Sequence, residues 1–387
     1  MPECAPELTL TLHPRIAEIS AAEWDACAGE GNPFVSHAFL SALEDSGSAG
    51  GRTGWLPQHA ALRDAGGTLL AVAPAYAKSH SYGEYVFDWG WARGFEQAGG
   101  RYYPKLQVSV PFSPVPGPRL LTRPGGGVPV AALAQGLRQA VADLGLSSCH
   151  VTFCTGAEWE ALGEVGWLQR LGTQFHWANP GYGSFDDFLG ALSSRKRKTL
   201  RRERRDAQAA GLRFRALRGS EITPEHWRVF HQCYRHTVDR KWGDAYLKPR
   251  FWPLLSERLG DRVVLMVAER DGEPVAGALN LIGQDALYGR NWGSLVEAPF
   301  LHFELCYYQA MDFAIAHGIP RVEAGAQGEH KIQRGYLPVP TYSAHWIEHA
   351  GLRRAVAGFL NQERPAMLAE MEALALASPF RRDGQED

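Results

Sequence analysis

The feature that most constrains the fold of this 387-residue chain is a strand-and-helix pattern that occurs twice. Residues 59–77 (HAALRDAGGTLLAVAPAYA) and residues 266–283 (MVAERDGEPVAGALNLIG) each read as a strand, an Arg-Asp turn with glycine, and a second strand. Aspartate and glycine tolerate the positive φ of tight turns, so each segment predicts a β-hairpin. Because the hairpin is repeated, we expect the unit around it to be repeated as well.

The segments that follow each hairpin also correspond in type and order. Each half continues with a strand, a helix, a strand and a final strand, and the dipeptide His-Trp recurs at 176–177 and 345–346. The shared order predicts a duplicated α+β unit. The predicted segments are 82–89, 129–144, 148–154 and 174–179 in the first half, and 286–292, 303–317, 321–325 and 342–349 in the second.

A turn-rich break at residues 179–183 (NPGYG) separates the halves. It predicts an N-terminal domain over residues 1–179 and a C-terminal domain over residues 180–387. A last helix is expected from about 352 to 376, broken at Pro365 because proline cannot donate a helical hydrogen bond.

A strongly basic helix is predicted over residues 193–210, at the start of the second half. Cations at a helix N-terminus oppose the helix dipole, so we expect this charge to serve a partner. That partner is either a set of acidic side chains elsewhere in the protein or a phosphate-bearing ligand such as RNA, a nucleotide or a lipid-linked pyrophosphate. The residues predicted to bind donor phosphate are Arg195, Lys196, Arg197, Lys198, Arg201 and Arg202.

Titratable side chains and glycines crowd the stretch from residue 290 to residue 346, and loops of this composition more often carry chemistry than packing. The predicted catalytic residues are Glu323, Glu329, His330 and Tyr336. The predicted substrate-binding residues are Arg290, His302, Gln327, Lys331 and Arg334, with Arg119 from the proline-rich loop of the first half.

Structural alternatives stay open for several of these residues. Glu323 can form an ion pair with Arg290, Arg321 or Lys331, and Tyr336 can pack against the proline-rich segment that follows it. The sequence His302-Phe303-Glu304 resembles the His-x-Glu of zinc deaminases, but no Pro-Cys-x-x-Cys follows, so we expect no zinc site.

Overall composition excludes several classes of protein. A formal net charge of −2 provides no general attraction to nucleic acid or membrane, so any such binding must be local. The six cysteines include no Cys-x-x-Cys pair, and the acidic, proline-containing N-terminus does not resemble a signal peptide. No segment has the roughly 20 consecutive apolar residues of a membrane helix, so we predict a cytoplasmic protein.

Three segments carry a family resemblance: residues 111–121 (PFSPVPGPRLL), residues 193–205 (SSRKRKTLRRERR) and the long run over 299–346. They resemble the FemAB-like proteins of peptidoglycan biosynthesis or recognition. The resemblance implies an α+β fold of tandem GNAT-like N-acyltransferase domains, with mixed central sheets flanked by helices. It also implies acyl or aminoacyl transfer to an amine, with aminoacyl-tRNA as donor and a peptidoglycan precursor at the membrane surface as acceptor.

The sequence departs from the GNAT pattern at one point. GNAT acetyltransferases hold the pyrophosphate of coenzyme A on a glycine-rich turn before the central helix, whereas residues 293–304 (GSLVEAPFLHFE) lack that turn. Acetyl-CoA is therefore disfavoured as cofactor. We expect aminoacyl transfer, and an acetyl-CoA-dependent acetyltransferase or a non-catalytic RNA- or muropeptide-binding protein remains as an alternative.

The resemblance suggests a division of roles. Glu323 or Glu329 would deprotonate the amine, with His330 as an alternative, and Tyr336 would protonate the leaving group. Arg290 and Lys331 would hold carboxylate or phosphate, while the basic helix docks the donor.

Overall fold

The computed structural model describes residues 8–127, 130–240, 244–325 and 328–381. The strands are β1 (Leu8–His13), β2 (Trp55–Pro57), β3 (His59–Asp64), β4 (Leu69–Ala73), β5 (Ala75–Lys78), β6 (Lys105–Val108), β7 (Leu121–Thr122), β8 (Ser148–Cys154), β9 (Leu168–Ala178), β10 (Arg213–Arg218), β11 (Val263–Arg270), β12 (Glu273–Ile282), β13 (Leu287–Ser294), β14 (Arg321–Glu323) and β15 (Leu337–Ile347). The helices are α1 (Ala21–Ala28), α2 (His37–Asp45), α3 (Trp89–Gln97), α4 (Val130–Asp143), α5 (Gly156–Glu164), α6 (Phe185–Gly190), α7 (Ser194–Gln208), α8 (Pro224–Arg240), α9 (Phe251–Leu259), α10 (Leu301–Phe303), α11 (Gln309–Ala316) and α12 (Ala350–Leu376).

The chain forms two compact units that differ from the two sequence halves. Unit 1 comprises Met1–Gly172 and Pro340–Leu368, and unit 2 comprises Thr173–Val339 and Ala369–Asp387. The sequence placed a single boundary at residue 179, but the segment 340–368 returns to unit 1. It does so because β15 pairs with β8, and because Val356 and Leu360 of α12 pack in one cluster with Trp91.

Unit 1 contains two sheets. The predicted hairpin at 59–77 is confirmed, since β3 and β4 pair antiparallel within a four-stranded sheet ordered β1-β3-β4-β7. In the second sheet β2, β5, β6, β8 and β15 are neighbours in that order, and only β6 and β8 run parallel. Helix α4 connects towards β8 and packs on it through Leu133, Leu137 and Val141.

Unit 2 contains one mixed sheet with neighbours in the order β10-β11-β12-β13-β14-β9. The predicted hairpin at 266–283 is β11 and β12, and the only parallel pair along this order is β13 with β14. A helical segment from Leu301 to Ala316 links those two strands and buries Tyr307, Tyr308 and Met311, as the apolar spacing predicted.

The duplication is visible in the strand pairing. Each unit has a parallel pair linked through a helix, and the antiparallel neighbour of the second parallel strand comes from the other sequence half: β15 in unit 1 and β9 in unit 2. The prediction of a strand at 82–89 is wrong, because the chain turns there before α3. The strand that corresponds to it in the repeat is β6. The break predicted at Pro365 is also wrong, since α12 continues through it.

Candidate active site

The site lies where β13 and β14 stop pairing. The two strands are matched only at Leu287 with Val322 and at Tyr288 with Glu323, after which β14 ends and β13 continues beside β12. Gly289 makes this close approach possible, because a Cβ atom there would lie 3.1 Å from the carbonyl oxygen of Glu323. The ladder between the two strands therefore ends at Glu323, and the backbones are still in close contact at Gly289.

Glu323 is a buried carboxylate with one unused oxygen. Its Oε1 accepts a hydrogen bond from Arg321 Nε at 3.0 Å, whereas Oε2 has no hydrogen-bond partner within the described ranges and lies 3.7 Å from His176 Nε2. Burial raises the pKa of Glu323 to about 7, against the opposing charge of Arg321. Burial also lowers the pKa of His176 to about 3, so that imidazole stays neutral. A carboxylate with these properties can take a proton near neutral pH.

One cation, Arg290, lies close to this carboxylate, and a second, Lys331, lies close to Arg290. Lys331 is buried, its Nζ donates to the carbonyl oxygen of Gly325 at 2.7 Å, and burial lowers its pKa to about 8. Arg290 of β13 is near enough that its charge lowers the pKa values of both Lys331 and Glu323. Arg290, which was predicted from the sequence together with Glu323 and Lys331, is thus close to both of them.

His330 and Tyr307 form a hydrogen-bonded pair beside them. The Tyr307 hydroxyl lies 2.9 Å from His330 Nε2, and the His302 ring packs 5.3 Å from the Tyr307 ring. Burial and the charges of Arg334 and Lys331 lower the pKa of His330, so the imidazole is mainly neutral near pH 7. Tyr307 was predicted only as core, and its link to His330 adds a proton-carrying hydroxyl that the sequence did not reveal.

Backbone irregularities at the helix start orient this pair. Phe300 has a φ of 54°, which is unusual for a bulky residue, and a π-helical turn occupies Glu304–Tyr308. Such turns occur frequently at functional sites. Here the π turn directs the Tyr307 hydroxyl to His330 while the neighbouring Tyr308 hydroxyl donates to Glu203.

Arg334 supports the site rather than binding substrate. Its Nη2 donates to both carboxylate oxygens of Glu203 at 2.9 Å, its Nη1 donates to the His330 carbonyl oxygen at 2.8 Å, and its guanidinium lies 3.4 Å above the Phe303 ring. The predicted substrate-binding role is corrected on this geometry, because the charge is already neutralised by a buried carboxylate.

The remaining predicted residues of this stretch have different surroundings. Glu329 is exposed at the start of the 3₁₀ turn Glu329–Arg334. Tyr336 is fully buried, its ring is 5.3 Å from that of Tyr307, and its hydroxyl has no hydrogen-bond partner in the described part of the chain. Its role as proton donor stays a prediction that its burial does not favour. Gln327 lies outside the described residues.

Arg119 is a structural residue, contrary to its predicted binding role. The side chain is completely buried in unit 1, and its guanidinium donates to the carbonyl oxygens of Thr152, Gly117, Pro118 and Val115 at 2.5–3.2 Å. These bonds fix the proline-rich loop, which cannot supply its own backbone donors at proline.

The cations of the basic helix α7 divide into two groups. Lys196 donates to Gln333, Arg197 donates to the Leu192 carbonyl oxygen, and Arg204 pairs with Asp312, so these three serve the fold. The other five are exposed, and two of them have carboxylate partners that are themselves at the surface. The exposed group consists of Arg195, Lys198, Arg201, Arg202 and Arg205.

Unit 1 has a buried charged cluster that the sequence did not reveal. Lys105 Nζ donates to Glu84 Oε2 at 2.7 Å and to Asp88 Oδ2 at 2.5 Å, and all three side chains are buried. Although burial alone would lower it, these carboxylates hold the pKa of Lys105 above its usual value. Nearby, His150 Nδ1 and His345 Nδ1 are 2.7 Å apart. These residues do not form a recognisable sequence motif, because strand pairing and turns bring them together in the folded chain.

The residues that the structure describes contain no group of three or more His, Cys, Asp or Glu side chains arranged to hold a metal ion. Across the same residues, no helix combines the length and the apolar character needed to cross a membrane.

The sequence profile described as FemAB-like, peptidoglycan biosynthesis/recognition, matches residues 15–382. The chain belongs to the FemAB-like family. A comparison with curated proteins finds no match.

Solved structures resemble this FemAB-like chain in fold at low sequence identity. FemX is 11% identical, with a TM-score of 0.56 over 91% of this chain and 100% of FemX. L-PGS from Bacillus licheniformis is 12% identical, with a TM-score of 0.51 over 91% of this chain and 98% of that one. The predicted α+β fold of two GNAT-like units is confirmed.

Proposed function

We propose that this FemAB-like protein is an N-acyltransferase that moves an aminoacyl group from tRNA to an amine of a peptidoglycan precursor. The observation that carries the proposal is the Oε2 of buried Glu323, which has no hydrogen-bond partner among the described residues and lies where the pairing of β13 with β14 ends. Family membership supports the precursor as acceptor.

In this reaction the amine nitrogen attacks the ester carbonyl carbon, and a new C–N bond forms as the ester C–O bond breaks. Glu323 Oε2 takes a proton from the amine, since its pKa of about 7 lets it act near neutral pH. The cations Lys331 and Arg290 stabilise the negative charge that develops on the carbonyl oxygen. Positioning of the amine against the ester provides the remaining acceleration.

The leaving group is a ribose hydroxyl, which needs a proton. We assign this proton to the Tyr307 hydroxyl, because it is hydrogen-bonded to His330 at 2.9 Å and His330 is exposed. The imidazole can then return a proton to Tyr307 from solvent.

Replacing Tyr307 by phenylalanine is expected to slow transfer at least tenfold, because it removes only the proton-carrying hydroxyl. The measurement is the single-turnover rate with a charged tRNA and a muropeptide amine. Tyr336→Phe is the matched control, since it deletes a hydroxyl that has no hydrogen-bond partner among the described residues. A slow Tyr336→Phe enzyme beside a normal Tyr307→Phe enzyme would restore the sequence-based assignment.

The helix start before α10 supports tRNA over coenzyme A as donor. In place of a glycine-rich turn it has Pro299, which lacks an N–H group, and the exposed carboxylate of Glu297. Both features weaken a pyrophosphate site, which depends on backbone donors and positive potential. The exposed cations of α7 instead offer a surface for an RNA backbone.

Removing three of those cations should weaken RNA binding. For Arg195→Ala, Lys198→Ala and Arg202→Ala combined, we expect affinity at low salt to fall at least tenfold. The slope of log K against log salt should flatten by about 0.7–0.9 for each phosphate that the variant no longer neutralises. The matched control replaces the exposed arginines Arg93, Arg101 and Arg354 of unit 1. An equal loss of affinity in both triple variants would show that α7 has no special role.

A donor assay tests the reaction class. The protein is incubated with an amine-bearing muropeptide and either a pool of charged tRNAs or acetyl-CoA, and the product mass is measured. An aminoacyl increment is the expected result. An acetyl increment would favour the acetyl-CoA-dependent alternative, and tight binding without transfer would indicate a non-catalytic binder.

The cytoplasmic location stays a prediction.

A further inference from the structure

A pocket of about 710 Å³ lies in unit 2 between the end of β13, the end of α8 and the start of α10. His302 and Phe303 belong both to this pocket and to the ring cluster around Tyr307 and His330. The pocket therefore adjoins the pair that we assign to the leaving group.

Close packing of β13 on α8 forms one wall. A Cβ atom at Gly293 would lie 2.1 Å from the carbonyl oxygen of Cys233, so only glycine allows this approach. The neighbouring Trp292 then stands in the pocket with its ring 4.6 Å from that of His302.

The pocket surface is mainly apolar and aromatic. Besides Trp292 and His302, the rings of Phe300 and Phe303 line it, together with the aliphatic side chains of Val296 and Ala298. Aromatic walls of this kind gain from stacking and from the area that a large ligand buries.

The two charged side chains that line the pocket have opposite charges that largely neutralise each other. Arg240 and Glu297 both line it, and Arg240 Nη1 lies 3.6 Å from Glu297 Oε1. Both side chains are mostly exposed, so the pair is weak, but among the residues that the structure describes it leaves no excess charge of either sign at the rim. A charged side chain entering the pocket would lose hydration without gaining a dedicated partner.

The volume of the pocket also favours a large ligand. Pockets of about 300–1,000 Å³ hold drug-sized ligands. An acetyl or glycyl group would make few contacts with the apolar walls, whereas each added methylene in an apolar pocket contributes about 1–3 kcal/mol of discrimination.

We propose that this pocket receives a large, uncharged side chain of the transferred aminoacyl group, aromatic or branched aliphatic, and thereby selects the donor. The inference rests on the proposed function, because it names the acyl group which that reaction transfers. Acetyl, glycyl and lysyl groups are then poor substrates.

Binding of amino-acid amides to the full chain tests the pocket without requiring turnover. Phenylalaninamide, leucinamide, glycinamide and lysinamide are titrated and their dissociation constants are determined by NMR. Phenylalaninamide or leucinamide should bind at least tenfold more tightly than glycinamide and lysinamide. Equal or tighter binding of glycinamide or lysinamide would overturn the inference.

Two variants show whether the binding occurs in this pocket. Ala298→Phe fills it and should weaken phenylalaninamide binding at least tenfold, whereas Leu295→Phe, at an exposed neighbour that does not line the pocket, should leave binding unchanged. If Ala298→Phe does not fold, Trp292→Leu, which removes a wall, should also weaken binding. Unchanged binding in the folded variant would overturn the inference.

Transfer assays separate this inference from the proposed function. Phenylalanyl and leucyl minihelices should react at least tenfold faster than glycyl and lysyl minihelices. A preference for glycyl minihelices would overturn the pocket assignment and leave aminoacyl transfer standing. Selective amide binding without transfer from any donor would support the pocket assignment and overturn the proposed aminoacyl transfer.

Discussion

Replacing Glu323 by glutamine should slow acyl transfer about a hundredfold or more, because a general base typically contributes 10²–10⁴-fold. Glutamine has nearly the same shape but cannot accept the amine proton. Neighbouring His176 cannot replace it, since burial lowers the pKa of that imidazole to about 3 and makes it a weak base. The measurement is the single-turnover rate at saturating donor.

Glu329→Gln is the matched control for this substitution. Glu329 is exposed on a turn, and we expect its removal to change the rate by less than about threefold, as surface substitutions away from special features usually have small effects. A loss of less than about tenfold in Glu323→Gln would exclude Glu323 as the base. A large loss in Glu329→Gln alone would transfer the role to Glu329.

Replacing Lys105 by methionine should destabilise the protein by about 3–5 kcal/mol, because it removes the cation that bonds to both buried carboxylates and, among the described residues, leaves only Lys78, 3.9 Å from Glu84. The free energy of unfolding from urea denaturation measures this loss. Part of it should be recovered at acid pH, where Glu84, whose pKa is raised to about 7, becomes protonated.

Lys198→Met provides the comparison for Lys105→Met. Lys198 is exposed on α7, so its replacement should change the free energy of unfolding by no more than about 0.5 kcal/mol. A loss below about 1 kcal/mol in Lys105→Met would show that the two carboxylates tolerate burial without the lysine.

Local sequence patterns predicted much of the fold. Both hairpins and strand β8 were predictable, because turn residues and strand-forming runs act over short distances. The pairing of β9 with strands of unit 2 and of β15 with strands of unit 1 was not predictable, because these partners are distant in the sequence. The strand β6 was also missed, because Lys105 and Gln107 make it read as polar although both side chains are buried.

The candidate site was predictable in part for similar reasons. Glu323 and Lys331 were recognisable as charges beside glycines and a short strand. Tyr307 was not, since its spacing fits a buried helical face, and only the π turn directs its hydroxyl to His330. Arg119 was misread because its partners are backbone carbonyl oxygens, which no sequence pattern displays.

The pH dependence of the single-turnover rate tests the role of Glu323 most directly. A base works only when deprotonated, so the rate should rise with pH up to about 7 and then level off. It should fall again above pH about 8 as Lys331 loses its proton. In Glu323→Gln the rise below pH 7 should disappear. An unchanged rise in that variant, or a wild-type rate independent of pH below 7, would contradict general-base catalysis by Glu323.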